Sequence, residues 1–390
     1  MSSPTPLEQL LQLAVDKRNI TIGLPTPTES ADRRFPLTPE AAGMLVERGF
    51  NVRMQPSGAA AIHYADVRYV QHGVEIADRG RVLHSDVVIY MAPFTPADAR
   101  AIKRGAMVLT LFDSALADAS VLAALMCKGV VTIALDRIKD ESGNHPFADI
   151  LAEIAGRAAI AIASSLLADA ERGKGILLGG IAGIVPCEVS ILGSGIDAIA
   201  AARSAIGLGA IVRMFDNDVY RLRSAIRELG PGVAGSALHP RVLLNALRTA
   251  DVVVATDVKP MHMITADVVE EMKLGVITFD LNSSHGQVFP SLRRVDLGCA
   301  SPSDNSMDGH RVCYVNPGNA VPRTVAMALS NTFLTMLGEI FTCDGLTNAL
   351  MLNRGLQAAA LTFMGRAVNP DVARLLGQRY TDINLLLQFS

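Results

Sequence analysis

The sequence predicts an α/β protein of two domains, each built on a parallel sheet. Its 390 residues exceed what one ordinary hydrophobic core supports, so two domains are expected. Apolar, β-branched segments alternate with helical patterns along most of the chain, an order typical of βαβ units. Hydrophobic residues make up 50% of the chain and charged residues 19%, which is the composition of a core-rich globular protein.

The first 150 residues contain the strands expected for one sheet. A helix is predicted from Thr38, because Thr38 can serve as N-cap, Pro39 suits the first helical position and Gly49 closes the pattern. The predicted strands share an apolar, β-branched composition: ITIGLP (20–25), NVRMQ (51–55), VVIYM (87–91), MVLTLF (107–112) and VVTIAL (130–135). The first 19 residues have the pattern of a short amphipathic helix and lack the uninterrupted apolar core of a signal peptide.

A second series of strands follows a long apolar helix. The helix is predicted from about Asp149 and would join the two domains while lying buried between them. The strand candidates beyond it are EVSILGSG, AIVRMFDND, ADVVVATD, GVITFDLN and RVCYVN. A run of helices is expected from about Val321 to the end, and it should return to pack on the first domain.

Charge and composition argue against several classes of partner. The formal net charge is −3 and no long basic run occurs, so no nucleic-acid partner is expected. The five cysteines form no CxxC pair, which argues against a metal site and against a disulfide framework. Apolar stretches such as 158–167 are shorter than the roughly 20 residues that cross a bilayer, so no membrane insertion is predicted. A cytoplasmic protein with reduced thiols is expected.

The strongest chemical motif is a glycine-rich turn between a strand and a helix. Gly193, Gly195 and Ala198 form a G-x-G-x-x-A fingerprint directly after the apolar strand VSIL. Gly193 permits a tight turn, Gly195 lets the backbone approach a pyrophosphate, and Ala198 allows close helix packing. The following helix then offers its N-terminal N–H groups to phosphates. The motif predicts a Rossmann domain that binds a dinucleotide, although such turns also occur for packing alone.

The next strand ends in an acidic residue at the expected distance. Asp216 lies about twenty residues beyond the turn and can accept hydrogen bonds from both ribose hydroxyls. Its charge would repel the 2′-phosphate of NADP, so the predicted cofactor is NAD. Alternatively, Asp216 only caps the helix that follows.

Four further motifs resemble those of one family. DRRFPLTP (32–39) is similar to E-x-R-V-A-L-T-P, AEIAGR (152–157) to S-E-V-A-G-R, and NPGNAVPRT (316–324) to N-M-P-G-A-V-P-R-T. The segment 173–195 matches the family's approach to the dinucleotide loop over its full length. The chain thus resembles alanine dehydrogenases and the NAD-binding domain of proton-translocating transhydrogenase. Its closing YTDINLLL resembles a longer-tailed bacterial branch.

The resemblance implies a fold and an activity. The fold has two Rossmann-like domains with parallel sheets, and a discontinuous substrate domain (1–150 plus 325–390) surrounds a central NAD-binding domain (151–324). The alanine dehydrogenases of this family oxidise L-alanine with NAD to pyruvate and ammonia. A homo-oligomer, hexamer or dimer, is therefore expected, with a small amino or oxo acid as substrate.

The family's substrate-site groups are only partly present in this sequence. The arginine that holds the substrate carboxylate falls on Arg34, although Arg34 could instead form a surface salt bridge. The family's lysine falls on Ala92, its histidine on Asp113 and its aspartate on Ser284. Asp113 is thus a catalytic candidate, or else the cap of a helix starting near Ala115.

Several residues near the expected nicotinamide end complete the candidate site. By resemblance, Asn282, Ser284, Asn316 and Asn319 border the cofactor. His285 is the second candidate for the proton-transferring group, unless it is a solvated loop residue.

Two functions are compatible with a site that keeps some of the family's groups and replaces others. The first is an NAD-dependent oxidoreductase acting on a small amino or oxo acid, favoured by Arg34 and the motif 316–324. The second is a catalytically weak NAD(H)-binding family member with a structural or regulatory role, favoured by the replaced groups. A transhydrogenase subunit is a third and weaker alternative, because the sequence predicts no membrane segment.

Overall fold

The computed structural model describes residues 20–27, 32–113, 117–171, 173–256, 263–282, 288–298, 312–340 and 346–388. The predicted helix in residues 1–19 lies outside these ranges. The strands are β1 (Thr21–Leu24), β2 (Asn51–Met54), β3 (Glu75–Ile76), β4 (Val87–Tyr90), β5 (Met107–Thr110), β6 (Val131–Ala134), β7 (Glu188–Leu192), β8 (Ile211–Phe215), β9 (Val233–Ser236), β10 (Val252–Ala255), β11 (Ile277–Asp280), β12 (Arg293–Asp296), β13 (Val312–Val315), β14 (Ala360–Phe363) and β15 (Arg366–Ala367).

Helices alternate with these strands along the chain. They are α1 (Pro39–Glu47), α2 (Asp66–Gln71), α3 (Arg79–Leu83), α4 (Pro96–Ala101), α5 (Ala119–Cys127), α6 (Pro146–Ala168), α7 (Ile196–Gly207), α8 (Val219–Leu229), α9 (Pro240–Thr249), α10 (Ala266–Glu270), α11 (Pro322–Ile340), α12 (Leu346–Leu352), α13 (Arg354–Ala359), α14 (Pro370–Leu375) and α15 (Ile383–Leu387). The predicted start of α1 is confirmed: Thr38 is its N-cap, the Thr38 side chain accepts the N–H of Ala41, and Pro39 is the first helical residue.

The first sheet has the strand order β3-β2-β1-β4-β5-β6-β14-β15. Strands β1 to β6 are mutually parallel, as the alternation of strands and helices predicts. β14 pairs antiparallel with β6, and β15 pairs antiparallel with β14. The C-terminal part of the chain thus completes the first sheet.

The prediction of helices from residue 321 to the end is wrong at residues 360–367. This segment forms β14 and β15 because it fits the open edge of β6. Leu361 and Phe363 are buried. The hydroxyl of Thr362 lies 3.0 Å from the carbonyl oxygen of Val130 and 2.9 Å from the hydroxyl of Thr132, so its burial is compensated. These partners are some 230 residues away in sequence, beyond the reach of a local pattern.

The second sheet has the order β12-β13-β11-β10-β7-β8-β9, and all its strands are parallel. The predicted strands β7, β8, β10, β11 and β13 are present. β9 and β12 were not predicted, because both are short and partly exposed edge strands. The order reverses at β7, which lies between β8 and β10, and ligands of such sheets bind at the carboxyl ends beside this switch point.

The predicted long helix, α6, packs between the two sheets' helical layers. It contacts α7 on the second sheet and α11, which itself packs on α1 of the first. Within the described residues, α6 is the one helix long and apolar enough to cross a membrane. Phe147, Ile160 and Leu167 are nevertheless buried inside the protein. Part of the apolar surface of this helix therefore belongs to the protein core.

The division into domains at residues 150 and 324 falls inside α6 and α11. Val325, Leu329 and Phe333 of α11 belong to the core of the first sheet, and the rings of Phe147 and Phe333 pack with centroids 4.7 Å apart. The discontinuous arrangement agrees with the expected fold, whereas the residue at which each domain ends stays a prediction.

Candidate active site

The glycine-rich turn follows β7 with the expected local geometry. Gly193 has φ +110°, a conformation that glycine adopts readily, and its N–H donates to the carbonyl oxygen of Phe215 at 2.7 Å. Gly195 is the N-cap residue of α7 and has no side chain to cap the helix. Ala198 is fully buried at the start of α7. The first turn of α7 thus has the backbone geometry of a phosphate site.

An acidic residue already occupies part of this turn. The carboxylate of Asp197 accepts the N–H of Ala198 at 2.8 Å. A phosphate at the turn would share the helix terminus with this charge, and the remaining first-turn N–H groups would have to hold it.

Asp216 lies at the end of β8 and is 5% exposed. Its Oδ2 accepts hydrogen bonds from Ser194 Oγ at 2.6 Å and from Arg221 Nε and Nη2 at 2.9 and 2.7 Å. Its Oδ1 accepts the N–H of Asp218 at 2.8 Å. Burial by itself would raise the pKa of Asp216, but these hydrogen bonds and the Arg221 charge hold it below its ordinary value. Asp216 is therefore ionised. Its Oδ1 accepts fewer hydrogen bonds than its Oδ2 and can accept another one from a ligand.

The capping alternative for Asp216 is wrong, because the N-cap of α8 is Asp218. Sequence reasoning missed Ser194 and Arg221 as partners of Asp216. Ser194 is the middle residue of the G-x-G turn, so its proximity to the acid had a signal in the motif itself. Arg221 is the third residue of α8, and only the strand-to-helix geometry brings it to Asp216.

A cavity of about 520 Å³ lies between the two sheets, at the carboxyl ends of their strands. Arg34 from the β1–α1 loop and Asp113 from the loop after β5 line it on the first-domain side. Asp296, Asn316 and Asn319 line it from the second sheet. The structure thus places Arg34, Asp113, Asn316 and Asn319 around one space, as the convergence of strand ends predicts.

Arg34 binds Asp32 through two nitrogens of its guanidinium fork. Nε lies 2.8 Å from Asp32 Oδ1, and Nη2 contacts Oδ2. Burial would lower the pKa of Arg34, but the Asp32 carboxylate raises it above its ordinary value, so the guanidinium stays charged. Nη1 has no hydrogen-bond partner among the described residues. Arg34 is therefore both in a salt bridge and available to a ligand in the cavity.

Two carboxyl groups lie at the ends of neighbouring strands. Asp113 follows β5, and Asp136 follows β6 and accepts the N–H of Phe112 at 2.9 Å. Burial raises the pKa of Asp136, and the charge of Asp113 raises it further. The pair is thus an acid–base candidate within the cavity. Asp113 does not cap α5, because α5 begins at Ala119 with Asp118 as its N-cap.

Asp136 was missed by the sequence analysis. The available signal was its place directly after the strand VVTIAL, which is the relation that Asp113 has to its own strand.

A smaller cavity of about 120 Å³ adjoins the first. Asn282 lines it, and Arg34, Asn316 and Asn319 line both cavities. Asn316 has the left-handed φ of 53° and donates from Nδ2 to Asp296 at 2.7 Å. Asn319 is 4% exposed, and its Oδ1 has no hydrogen-bond partner among the described residues. A buried acceptor of this kind suits a ligand N–H donor such as a carboxamide.

Other predicted residues lie elsewhere. Gly193, Gly195 and Ala198 lie at the glycine-rich turn and Asp216 follows β8, outside the linings of both cavities. Ser284 and His285 lie outside the described residues.

Ala92, where the family's lysine would stand, is buried in an apolar cluster with Tyr90, and neither residue lines the two cavities. The described residues contain no group of three or more His, Cys, Asp or Glu side chains that could hold a metal ion.

Two α/β domains, a glycine-rich turn at the switch point of one sheet, and a cavity between the sheets are the features of a Rossmann-type nucleotide-binding protein. Family comparison specifies the class further. The alanine dehydrogenase/PNT N-terminal domain matches residues 23–174, and the alanine dehydrogenase/PNT C-terminal domain matches residues 159–370. The chain therefore belongs to the alanine dehydrogenase/PNT family.

Individual relatives cover nearly the whole chain. Alanine dehydrogenase of Staphylococcus saprophyticus is 28% identical over 376 residues, covering 94% of this chain and 100% of the relative. Alanine dehydrogenase of Bacillus subtilis is 28% identical over 375 residues, covering 94% and 97%.

Solved structures agree with this assignment. An L-alanine dehydrogenase superposes with a TM-score of 0.80 at 25% identity, covering 92% of this chain and 99% of the other. A transhydrogenase from Sinorhizobium meliloti superposes with a TM-score of 0.72 at 17% identity, covering 90% and 99%, which shows a shared fold.

Proposed function

We propose that this protein is an NAD-dependent oxidoreductase that interconverts an amino acid and its oxo acid. L-alanine and pyruvate, the pair of the family reaction, are the reference substrates. The observation that carries the proposal is the shared lining of the two cavities. Arg34, Asn316 and Asn319 border both spaces, so a carboxylate-binding group stands next to the motif that resembles the family's nicotinamide border.

The residues present fit a dinucleotide. Gly193, Gly195 and Ala198 would hold the pyrophosphate at α7, and Asp216 would accept a ribose hydroxyl at its less occupied Oδ1. When bound, the nicotinamide supplies the hydride-transfer chemistry. The orphan Oδ1 of Asn319 would accept from its carboxamide, with Asn282 and Asn316 as neighbouring groups. Ser284 stays a predicted cofactor residue.

The chain's own residues would then position the substrate and move its proton. Arg34 would hold the carboxylate through Nη1 while Asp32 fixes the rest of the guanidinium. Asp113, next to Asp136, would accept the proton that leaves the amino group, and His285 stays an alternative for that role.

The second candidate function is a catalytically weak NAD(H)-binding module with a structural or regulatory role. The observation in its favour is Ala92, which is buried and cannot replace the charge of the family's lysine. Binding of NADH without turnover of any amino or oxo acid would favour this function.

NADH is expected to bind at least tenfold more tightly than NADPH, because Asp216 repels the 2′-phosphate. Asp216→Ala should remove that preference, since it also releases the Arg221 guanidinium for the phosphate. Isothermal titration calorimetry measures both affinities. Asp218→Asn is the matched control: asparagine keeps the N-cap of α8, and the preference should be unchanged. Tighter binding of NADPH by the unaltered protein would contradict the assignment.

We also propose a cytoplasmic homo-oligomer, a hexamer or a dimer. The segment 176–185 supports the oligomer, because it exposes a cluster of large apolar side chains: Ile176, Leu177, Ile181, Ile184 and Val185. Sedimentation equilibrium should give a multiple of the chain mass, and Val185→Asp should lower it. Arg241→Asp, at an exposed position of α9, is the control and should leave the mass unchanged. A monomeric unaltered protein would contradict the proposal.

A further inference from the structure

Polar and apolar side chains both line the larger cavity. Three of the polar residues, Arg34, Asn316 and Asn319, also line the smaller cavity, so they lie on the side of the expected nicotinamide position. The side chains of Val121, Leu122 and Leu125 on α5 line the larger cavity alone. A substrate held at Arg34 would therefore extend its side chain towards α5.

Helix α6 forms one wall of the larger cavity with small side chains. Ala148, Ala152 and Ala155 line the cavity at helical positions i, i+4 and i+7, which share one face of a helix. Because each side chain ends at Cβ, this wall of the cavity takes up little volume. Phe94 and Phe112 add apolar surface on the side of the first domain.

The size of the cavity exceeds what alanine needs. A volume of about 520 Å³ lies in the range of pockets that enclose ligands much larger than alanine. The single methyl group of alanine would leave the apolar wall at α5 in contact with water, whereas a larger apolar side chain would cover it.

The charged side chains that line the cavity further limit the class of substrate. The charged lining residues are Arg34 and five aspartates: Asp32, Asp113, Asp118, Asp136 and Asp296. Such a lining tolerates one carboxylate, at Arg34, and an amino group near Asp113, but it disfavours a second acidic group on the substrate.

We propose that the cavity takes an α-amino or α-oxo acid with a large apolar side chain, in preference to alanine or pyruvate. The side chain lies between α5 and the alanine face of α6. This inference rests on the proposed function, because it assigns the substrate class of the same site.

The test compares 4-methyl-2-oxopentanoate and phenylpyruvate with pyruvate, each with ammonia and NADH. The unaltered protein should show a kcat/KM at least tenfold higher for one of the larger acids than for pyruvate. Ala152→Leu fills the alanine face and should lower this ratio at least tenfold, because leucine suits a helix but occupies the space. Higher kcat/KM for pyruvate than for both larger acids would overturn the inference.

Further variants distinguish the filling of the cavity from a general loss of stability. Ala161→Leu makes the same substitution at an exposed position of α6 and should leave the ratio unchanged. If Ala152→Leu lowers the melting temperature strongly, Ala148→Leu near the start of α6 replaces it.

A failure of the proposed function can be distinguished from a failure of this inference. If NADH binds and no acid is turned over, the proposed function fails, and calorimetry with NADH present then decides the inference. Tighter binding of 4-methyl-2-oxopentanoate than of pyruvate, lost in Ala152→Leu, supports the substrate class. Equal or weaker binding overturns it.

Discussion

Gly156→Ala is expected to lower the free energy of unfolding by about 3 kcal/mol. A Cβ at Gly156 would lie 2.1 Å from the carbonyl oxygen of Asp197 and 3.0 Å from the backbone nitrogen of Ala201. Both atoms belong to the backbone of α7, so no side chain can move away, and α6 and α7 must separate. Because α7 carries the dinucleotide turn, NADH affinity should fall at least tenfold as well. Urea denaturation and calorimetry measure the two effects.

The direction of the change in stability distinguishes a steric clash from the usual helix preference for alanine. In an ordinary helix interior, alanine is more favourable than glycine by about 1 kcal/mol. Gly207→Ala at the end of α7 is the matched control, because its Cβ would meet no atom within 4 Å and its φ is not positive. Gly207→Ala should leave stability unchanged or raise it. A Gly156→Ala protein as stable as the unaltered one would show that α6 and α7 are not in this close contact.

Arg34→Ala and Asp113→Asn are each expected to lower kcat/KM by about 100-fold or more on the oxo acid that reacts fastest. Arg34→Ala removes the one basic side chain among the lining residues of the larger cavity, and with it the proposed carboxylate contact. Asp113→Asn keeps the shape of the side chain but cannot accept the proton. Steady-state NADH oxidation measures the loss, and NADH affinity should change little in the Asp113→Asn protein.

Control variants separate this loss from a general effect of losing a salt bridge. Arg53 pairs with Glu75, and its side chain is 25% exposed, as is that of Arg34. Arg53→Ala should therefore reproduce the stability effect and leave kcat/KM unchanged. Arg34→Lys keeps the charge but loses the bidentate fork, so part of the activity should remain. If Arg34→Ala and Asp113→Asn both keep full activity, the proposed site is wrong.

The sequence by itself determined the features that depend on neighbouring residues. The turn of Gly193 and Gly195, the acid Asp216 at the end of the next strand, and the cap of α1 by Thr38 were all predicted and are present. Each depends on a few adjacent residues, so the local pattern was enough. The parallel direction of β1, β2, β4, β5 and β6 followed in the same way from alternating strands and helices, whereas the two-residue strand β3 was not predicted.

Only the tertiary structure decided which distant groups meet. β14 joins β6 across more than 200 residues of sequence, against the local helical pattern. The same holds for the site: Asp136 lies near Asp113, Ser194 donates to Asp216, and the two cavities share Arg34 with Asn319. Which groups meet in space depends on the packing of whole sheets and helices, and no short segment contains that information.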